Sequence, residues 1–157
     1  MRLTGIAALA VSAAFALSSC GGADEPDRYT LAANRICTRM ATKLEQLEHR
    51  WRSHPNHADP GDLARPMFTI VGDERVRLAA LKAPKGQVVL TVELDQDLLN
   101  FENRLTDLIH LESLSRHDIL ATARTADAAG VEARKAASEL GLARCASLPL
   151  AVSSSFD

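Results

Sequence analysis

Aromatic residues are scarce in this chain, with one Trp, one Tyr and four Phe among 157 residues. A ligand chamber walled by aromatic rings needs more of them, so Tyr29, Trp51, Phe68, Phe101 and Phe156 are not expected to line a large pocket. Charge of one sign is not in surplus either, since 18 Lys and Arg meet 20 Asp and Glu for a formal net of −2. A nucleic-acid binder is expected to show a basic stripe and a membrane-surface binder a basic amphipathic face; the overall balance supports neither. No Glu is followed three residues later by His, which excludes the signature of di-iron bundles, and no His-Glu-x-x-His, Gly-x-Ser-x-Gly or Gly-x-x-x-x-Gly-Lys occurs. No Cys-x-x-Cys pair is present, and neither Cys37 nor Cys145 has His or Lys beside it, so redox activity lacks support. The chain is expected not to be an enzyme.

What is there begins with an address. Met1-Arg2 opens a twelve-residue stretch of apolar character, Ile6 to Leu17, too short to span a bilayer as a permanent helix, and small residues follow it. With Leu17-Ser18-Ser19-Cys20 the segment resembles the lipobox of bacterial lipoproteins. That resemblance implies a diacylglyceryl thioether on Cys20, cleavage before it, and a mature chain held on the extracytoplasmic face of the cell membrane; the alternative is an uncleaved helix with an incidental cysteine. Residues 1–19 are then signal peptide, 20–26 a flexible lipid-anchored tether, and 27–157 one folded domain. Loss of Arg2 takes the net charge from −2 to −3, so the anchor rather than surface charge is expected to make the membrane contact. With Cys20 assigned to lipid, Cys37 and Cys145 remain as an even pair outside the reducing cytosol and are expected to be bonded, the alternative being two buried free thiols.

Hydrophobic spacing predicts four helices, and five of the six prolines, Pro26, Pro55, Pro60, Pro84 and Pro149, fall outside their interiors. The first, about 27–52, carries Ile36, Met40, Leu44, Leu47 and Trp51 at steps of four, four, three and four. The second, about 62–82, takes Asp62 as a candidate N-cap, turns Leu63, Met67, Ile70, Val71, Leu78 and Leu81 inward, and places Pro66 in its first turn. The third, about 87–112, repeats Leu90, Leu94, Leu98, Phe101, Leu105 and Leu108, a period that continues through the strand-favouring Val88-Val89 and Val92. The fourth opens on Ser115-x-x-Asp118, a capping-box-like start, and stops at Gly141. Its inward face, Ala123, Ala126, Gly130, Ala133, Ala137 and Leu140, serves either close internal packing or the docking of a partner helix.

The fold class is therefore all-α, an up-down four-helix bundle closed by one disulfide, with both termini at one pole and the tail after Gly141 folded back along the first helix. The same topology gathers His49, His54, His57, His110 and His117 at the opposite pole with Glu48, Asp59, Asp62, Glu112 and Asp118. Such a grouping binds zinc or copper, titrates between about pH 5 and 8, or is an ordinary solvated loop. Helix one is basic, with Arg28, Arg35, Arg39, Lys43, Arg50 and Arg52, and helix three acidic, with Glu93, Asp95, Asp97, Glu102, Asp107 and Glu112; these faces either recruit a partner or are simply solvated.

The runs Ala32-Ala33-Asn34-Arg35-Ile36-Cys37, Leu78-x-x-Leu81-Lys82-Ala83-Pro84 and Leu140-Gly141-Leu142-x-x-Cys145-Ala146 resemble small secreted or lipid-anchored helical proteins of high-GC Gram-positive bacteria. The resemblance implies a paired Cys37 and Cys145 and transfers no catalytic residue; Asn34 reads either as a buried polar fix near the disulfide or as a helix-surface residue. The expected role is a non-enzymatic interaction module of the envelope, with a possible protein partner and no nucleic acid. The alternative is a small-ligand or metal carrier or sensor using the histidine pole; apart from zinc or copper there, no cofactor is implied.

Overall fold

The computed structural model describes residues 25–53, 59–111 and 115–156. They form four long helices, α1 (Glu25–Arg52), α2 (Gly61–Ala79), α3 (Val88–Ile109) and α4 (Arg116–Glu139), then one short turn of helix, α5 (Ala143–Ala146), and a 3-10 turn, Ser153–Ser155. The four-three spacing of α1 puts Ile36, Met40, Leu44, Leu47 and Trp51 on one stripe, and all five are buried. The helix starts at Glu25, so Glu25 and Pro26, expected in the tether, belong to its first turn. A proline there costs nothing, because the first N–H groups of a helix have no partner within it.

The entry to α2 differs from the sequence expectation. Pro60, not Asp62, occupies the N-cap position, and Asp59 Oδ1 accepts the Gly61 N–H at 2.7 Å. Asp62 lies two residues past the N-cap, too deep to cap, and its charge sits in the first turn where the helix dipole favours an acid. With the start moved back to Gly61, Pro66 lies in the second turn, leaving the exposed Asp62 carbonyl without its helical donor. In α3 the run Val88-Val89-Leu90-Thr91-Val92 is helical despite its strand preference, because the period delivers Leu94, Leu98, Phe101, Leu105 and Leu108 to the core and burial outweighs propensity.

At the head of α4, Ser115 Oγ accepts the Asp118 N–H at 3.2 Å, as the capping pattern requires. At its end Gly141 adopts φ 70°, with Gly141 N–H donating to Ser138 and Leu142 N–H donating to Ala137, both at 2.9 Å. This pair of bonds is a Schellman stop; it reverses the chain and drops Leu142 into the core.

Successive helices pack antiparallel, α1 on α2, α2 on α3 and α3 on α4. The circuit is not closed by α1 meeting α4. Among the described residues, α5 and the Ser153–Ser155 turn lie between them and touch both. The tail carries Leu142, Leu148, Leu150 and Val152, all buried, and the space beside the small face of α4 accommodates them. A Cβ on Gly130 would stand 2.5 Å from the Leu150 carbonyl oxygen, so glycine is what lets the tail lie against this helix. The Ala/Gly face thus serves internal packing, with a folded tail as its neighbour where a helix was expected. Cys37 and Cys145 are disulfide-bonded with Cα atoms 5.0 Å apart, tying α5 to α1 across 108 residues of sequence.

Candidate functional site

Charge enters the interior of this bundle through α2. Glu74 and Arg75 are neighbours in sequence, so their side chains leave the helix about 100° apart, one toward α1 and the other toward α3. The Glu74 side chain is wholly buried. Arg39 donates Nε to both carboxylate oxygens at 3.0 Å and Nη2 to Oε2 at 2.8 Å, while Lys43 Nζ donates to Oε1 at 2.7 Å. Burial by itself pushes the Glu74 carboxyl up, but the hydrogen bonds and positive charges of Arg39 and Lys43 outweigh it and hold the group below its ordinary 4.5.

On the other side, Arg75 Nε donates to Glu102 Oε1 at 2.6 Å and Nη1 to Asp95 Oδ1 at 2.9 Å. Desolvation opposes the charge of Arg75, yet the two carboxylates raise its pKa above the ordinary guanidinium value. Glu102 is nearly buried, and Gly72 leaves it room, since a Cβ there would stand 3.4 Å from Glu102 Oε2. The result is an ionic seam across three helices, each buried charge answered by opposite charge. Among the described residues no buried side-chain nitrogen or oxygen lacks a hydrogen-bond partner.

The seam changes the meaning of the opposed charge on α1 and α3. Arg39 and Lys43 of the basic helix, and Asp95 and Glu102 of the acidic one, turn to α2 and set helix register. These four side chains are engaged with α2, so part of the opposed charge on α1 and α3 serves packing within the bundle. Sequence reasoning missed Glu74 and Arg75 and took Glu102 only as one of the acids of helix three, although a signal was present: the inward stripe of α2 jumps from Val71 to Leu78, two full turns, and the skipped position is Glu74.

A second polar group holds the tail. Asp127 of α4 accepts the backbone N–H of Val152 and of Ser153, the latter at 3.2 Å, and the Ser153 hydroxyl donates to its other oxygen. From α1, Trp51 Nε1 donates to the Ser155 carbonyl at 3.2 Å, and its ring meets Phe156 edge to face at 5.9 Å. Asn34 accepts the Arg144 N–H at 2.9 Å beside the disulfide but is half-exposed, so it is a polar fix that is not buried. With the disulfide, these contacts fasten the tail at both ends.

The histidine pole holds in topology but not in convergence. His49 is in the last turn of α1, His110 follows α3 and His117 is in the first turn of α4, all at one end of the bundle and all exposed. Among the described residues no three His, Cys, Asp or Glu side chains come together to hold a metal ion. His54, His57 and Glu112 lie outside the described residues, as does Cys20. His49 lies with Glu45, Gln46 and Arg50 along a shallow open depression on α1.

Acidic residues do converge elsewhere. Glu93 and Asp97 of α3 and Glu132 and Glu139 of α4 line a cleft of about 310 Å³, with Lys135 among them. Burial, then the charges of Glu132 and Glu93, push the Asp97 carboxyl above its ordinary 3.8, with Lys135 working against the shift. No helix among the described residues is long and apolar enough to cross a membrane. Compared with known protein families, with curated proteins and with solved structures, the chain matches none.

Proposed function

We propose that this chain is an extracytoplasmic lipoprotein, anchored through Cys20, whose helical domain works as a non-enzymatic interaction module of the cell envelope. The observation that carries the reading is the Cys37–Cys145 disulfide, which belongs to an oxidising compartment and leaves Cys20 as the third cysteine of the sequence, next to the signal-like segment. Support also comes from the start of α1, only five residues after Cys20, a spacing suited to a short tether. Between α1, α2 and α3 the space bordered by Tyr29, Leu78, Leu94 and Leu98 amounts to about 10 Å³, room for one water at most. So small a space between these three helices favours work done on the outer surface over carriage of a ligand between them.

The test is the intact mass of native material from a membrane fraction, followed by cross-linking from exposed positions in living cells. Loss of residues 1–19, acyl mass on Cys20, oxidised Cys37 and Cys145 and a protein adduct are expected. An intact Met1 or two free thiols would overturn the export reading. Heat of binding at micromolar zinc or copper, lost on replacing His54 and His57, would move the function to a metal carrier.

A further inference from the structure

The overall charge balance hides a local one. From Val76 to Val92 the chain contains no acidic residue, while Arg77, Lys82 and Lys85 are basic and exposed. This segment is the end of α2, its connection and the start of α3, turned by Gly86 at φ 85° with the Gln87 N–H donating to the Pro84 carbonyl at 3.1 Å. It is also where large apolar side chains stand in solvent: Val76 is 61% exposed, Val88 54%, Val89 69% and Val92 49%. Val88 and Val92 are one turn apart, and Val89 lies between them, so the first turns of α3 present a continuous apolar outer face. Exposed valines in a segment that carries lysines and no acid of its own, although Arg77 faces Glu74 and Glu93 follows Val92, are costly to leave in water and suit an element that enters an anionic bilayer interface.

Position in the fold selects the occupant. The α2–α3 connection lies at the pole where α1 begins: Tyr29 of the first turns of α1 lines a small cleft with Leu78 and Ala79 of α2 and Thr91 of α3. Four residues lie between Cys20 and Glu25, and the five steps reach at most about 18 Å of extended chain. A lipid on Cys20 therefore holds this tip at the headgroups, where the high local concentration makes weak apolar and electrostatic contacts count.

We propose that the tip of the α2–α3 hairpin, Val88, Val89 and Val92 flanked by Lys82 and Lys85, docks into an anionic membrane surface beside the anchor and sets the orientation of the domain on the bilayer. This rests on the lipoprotein reading. The anchor supplies attachment; the hairpin supplies orientation, with the histidine pole directed away from the membrane.

The test uses the full acylated chain in vesicles of phosphatidylcholine and phosphatidylglycerol, with a nitroxide on Val89→Cys and, as reference, on His117→Cys at the other pole. The label at 89 is expected to be several-fold less accessible to an aqueous nickel chelate than that at 117 and more accessible to oxygen. Protection should fall for Lys82→Glu/Lys85→Glu and in vesicles of phosphatidylcholine alone. Equal aqueous access at both positions on chains that co-float with vesicles overturns the hairpin and leaves the anchor standing. Protection of position 89 in the lipid-free chain overturns it in favour of a protein contact, equal protection on phosphatidylcholine vesicles overturns the role of the lysines, and chains with no acyl group that do not float overturn both proposals.

Discussion

Arg75 is the residue whose loss tests the ionic seam most sharply. Its side chain is 19% exposed and holds Glu102, 6% exposed, and Asp95, 36% exposed. Replacing Arg75 by Met keeps an unbranched apolar stem but strands the Glu102 carboxylate in the interior. Removing one partner of a buried pair costs about 3–5 kcal/mol, and because Asp95 returns to water the expectation here is about 2–4 kcal/mol. Replacing both Arg75 and Glu102 by Met removes the stranded charge as well, and the double variant should lie within about 1 kcal/mol of the parent. The double variant is thus expected to be more stable than the single. Urea unfolding with the disulfide intact, followed by helical circular dichroism, measures this; with a slope of about 1–3 kcal/mol/M the single variant should unfold at a midpoint on the order of 1 M lower. If Arg75→Met alone is as stable as the double variant, Glu102 is not dependent on Arg75 and the account of the seam is wrong.

Glu74 and Asp97 have opposite pH signatures. Because the folded carboxyl of Glu74 is held below 4.5, its contribution is complete above that value and is lost as pH falls through the lower folded one; a melting-temperature profile should show an acid-side decline that Glu74→Gln lacks. Asp97 is raised, so its ionised form works against folding at neutral pH; Asp97→Asn should raise the urea midpoint at pH 7, and the advantage should vanish as the medium becomes acidic enough to protonate the aspartate. At Gly130, alanine gains about 1 kcal/mol of helix propensity but forces Cβ against the Leu150 backbone, a clash costing about 1–3 kcal/mol, so net destabilisation is expected. Its signature is a red shift of Trp51 fluorescence as Ser155 and Phe156 leave the indole; an unchanged spectrum and a higher midpoint would show that the tail yields without cost.

Four helices, their order and most of their core were legible in the residues, because a stripe repeating every three or four positions states which face is buried whatever lies opposite. Ser115 and Gly141 announced the ends of α4 for an equally local reason: capping bonds and a positive φ involve only neighbours. The pairing of Cys37 with Cys145 was reached by elimination, and the fold brings their Cα atoms to 5.0 Å. The start of α2 was misplaced because Asp59 and Pro60 act there through loop geometry that spacing does not encode.

What tertiary structure alone decided is which element meets which polar group. Local rules carry no information about a partner 27 or 35 residues away, so nothing in the sequence singles out the partners of Glu74 and Arg75 until α1 and α3 lie beside them. The tail shows the same limit: nothing in the alanines of α4 says whether a helix or an extended strap of Leu148, Leu150 and Val152 will lie against them. Periodicity specifies the faces a chain must bury; only packing in three dimensions, where volume and charge must be matched across long sequence separations, settles what covers each one.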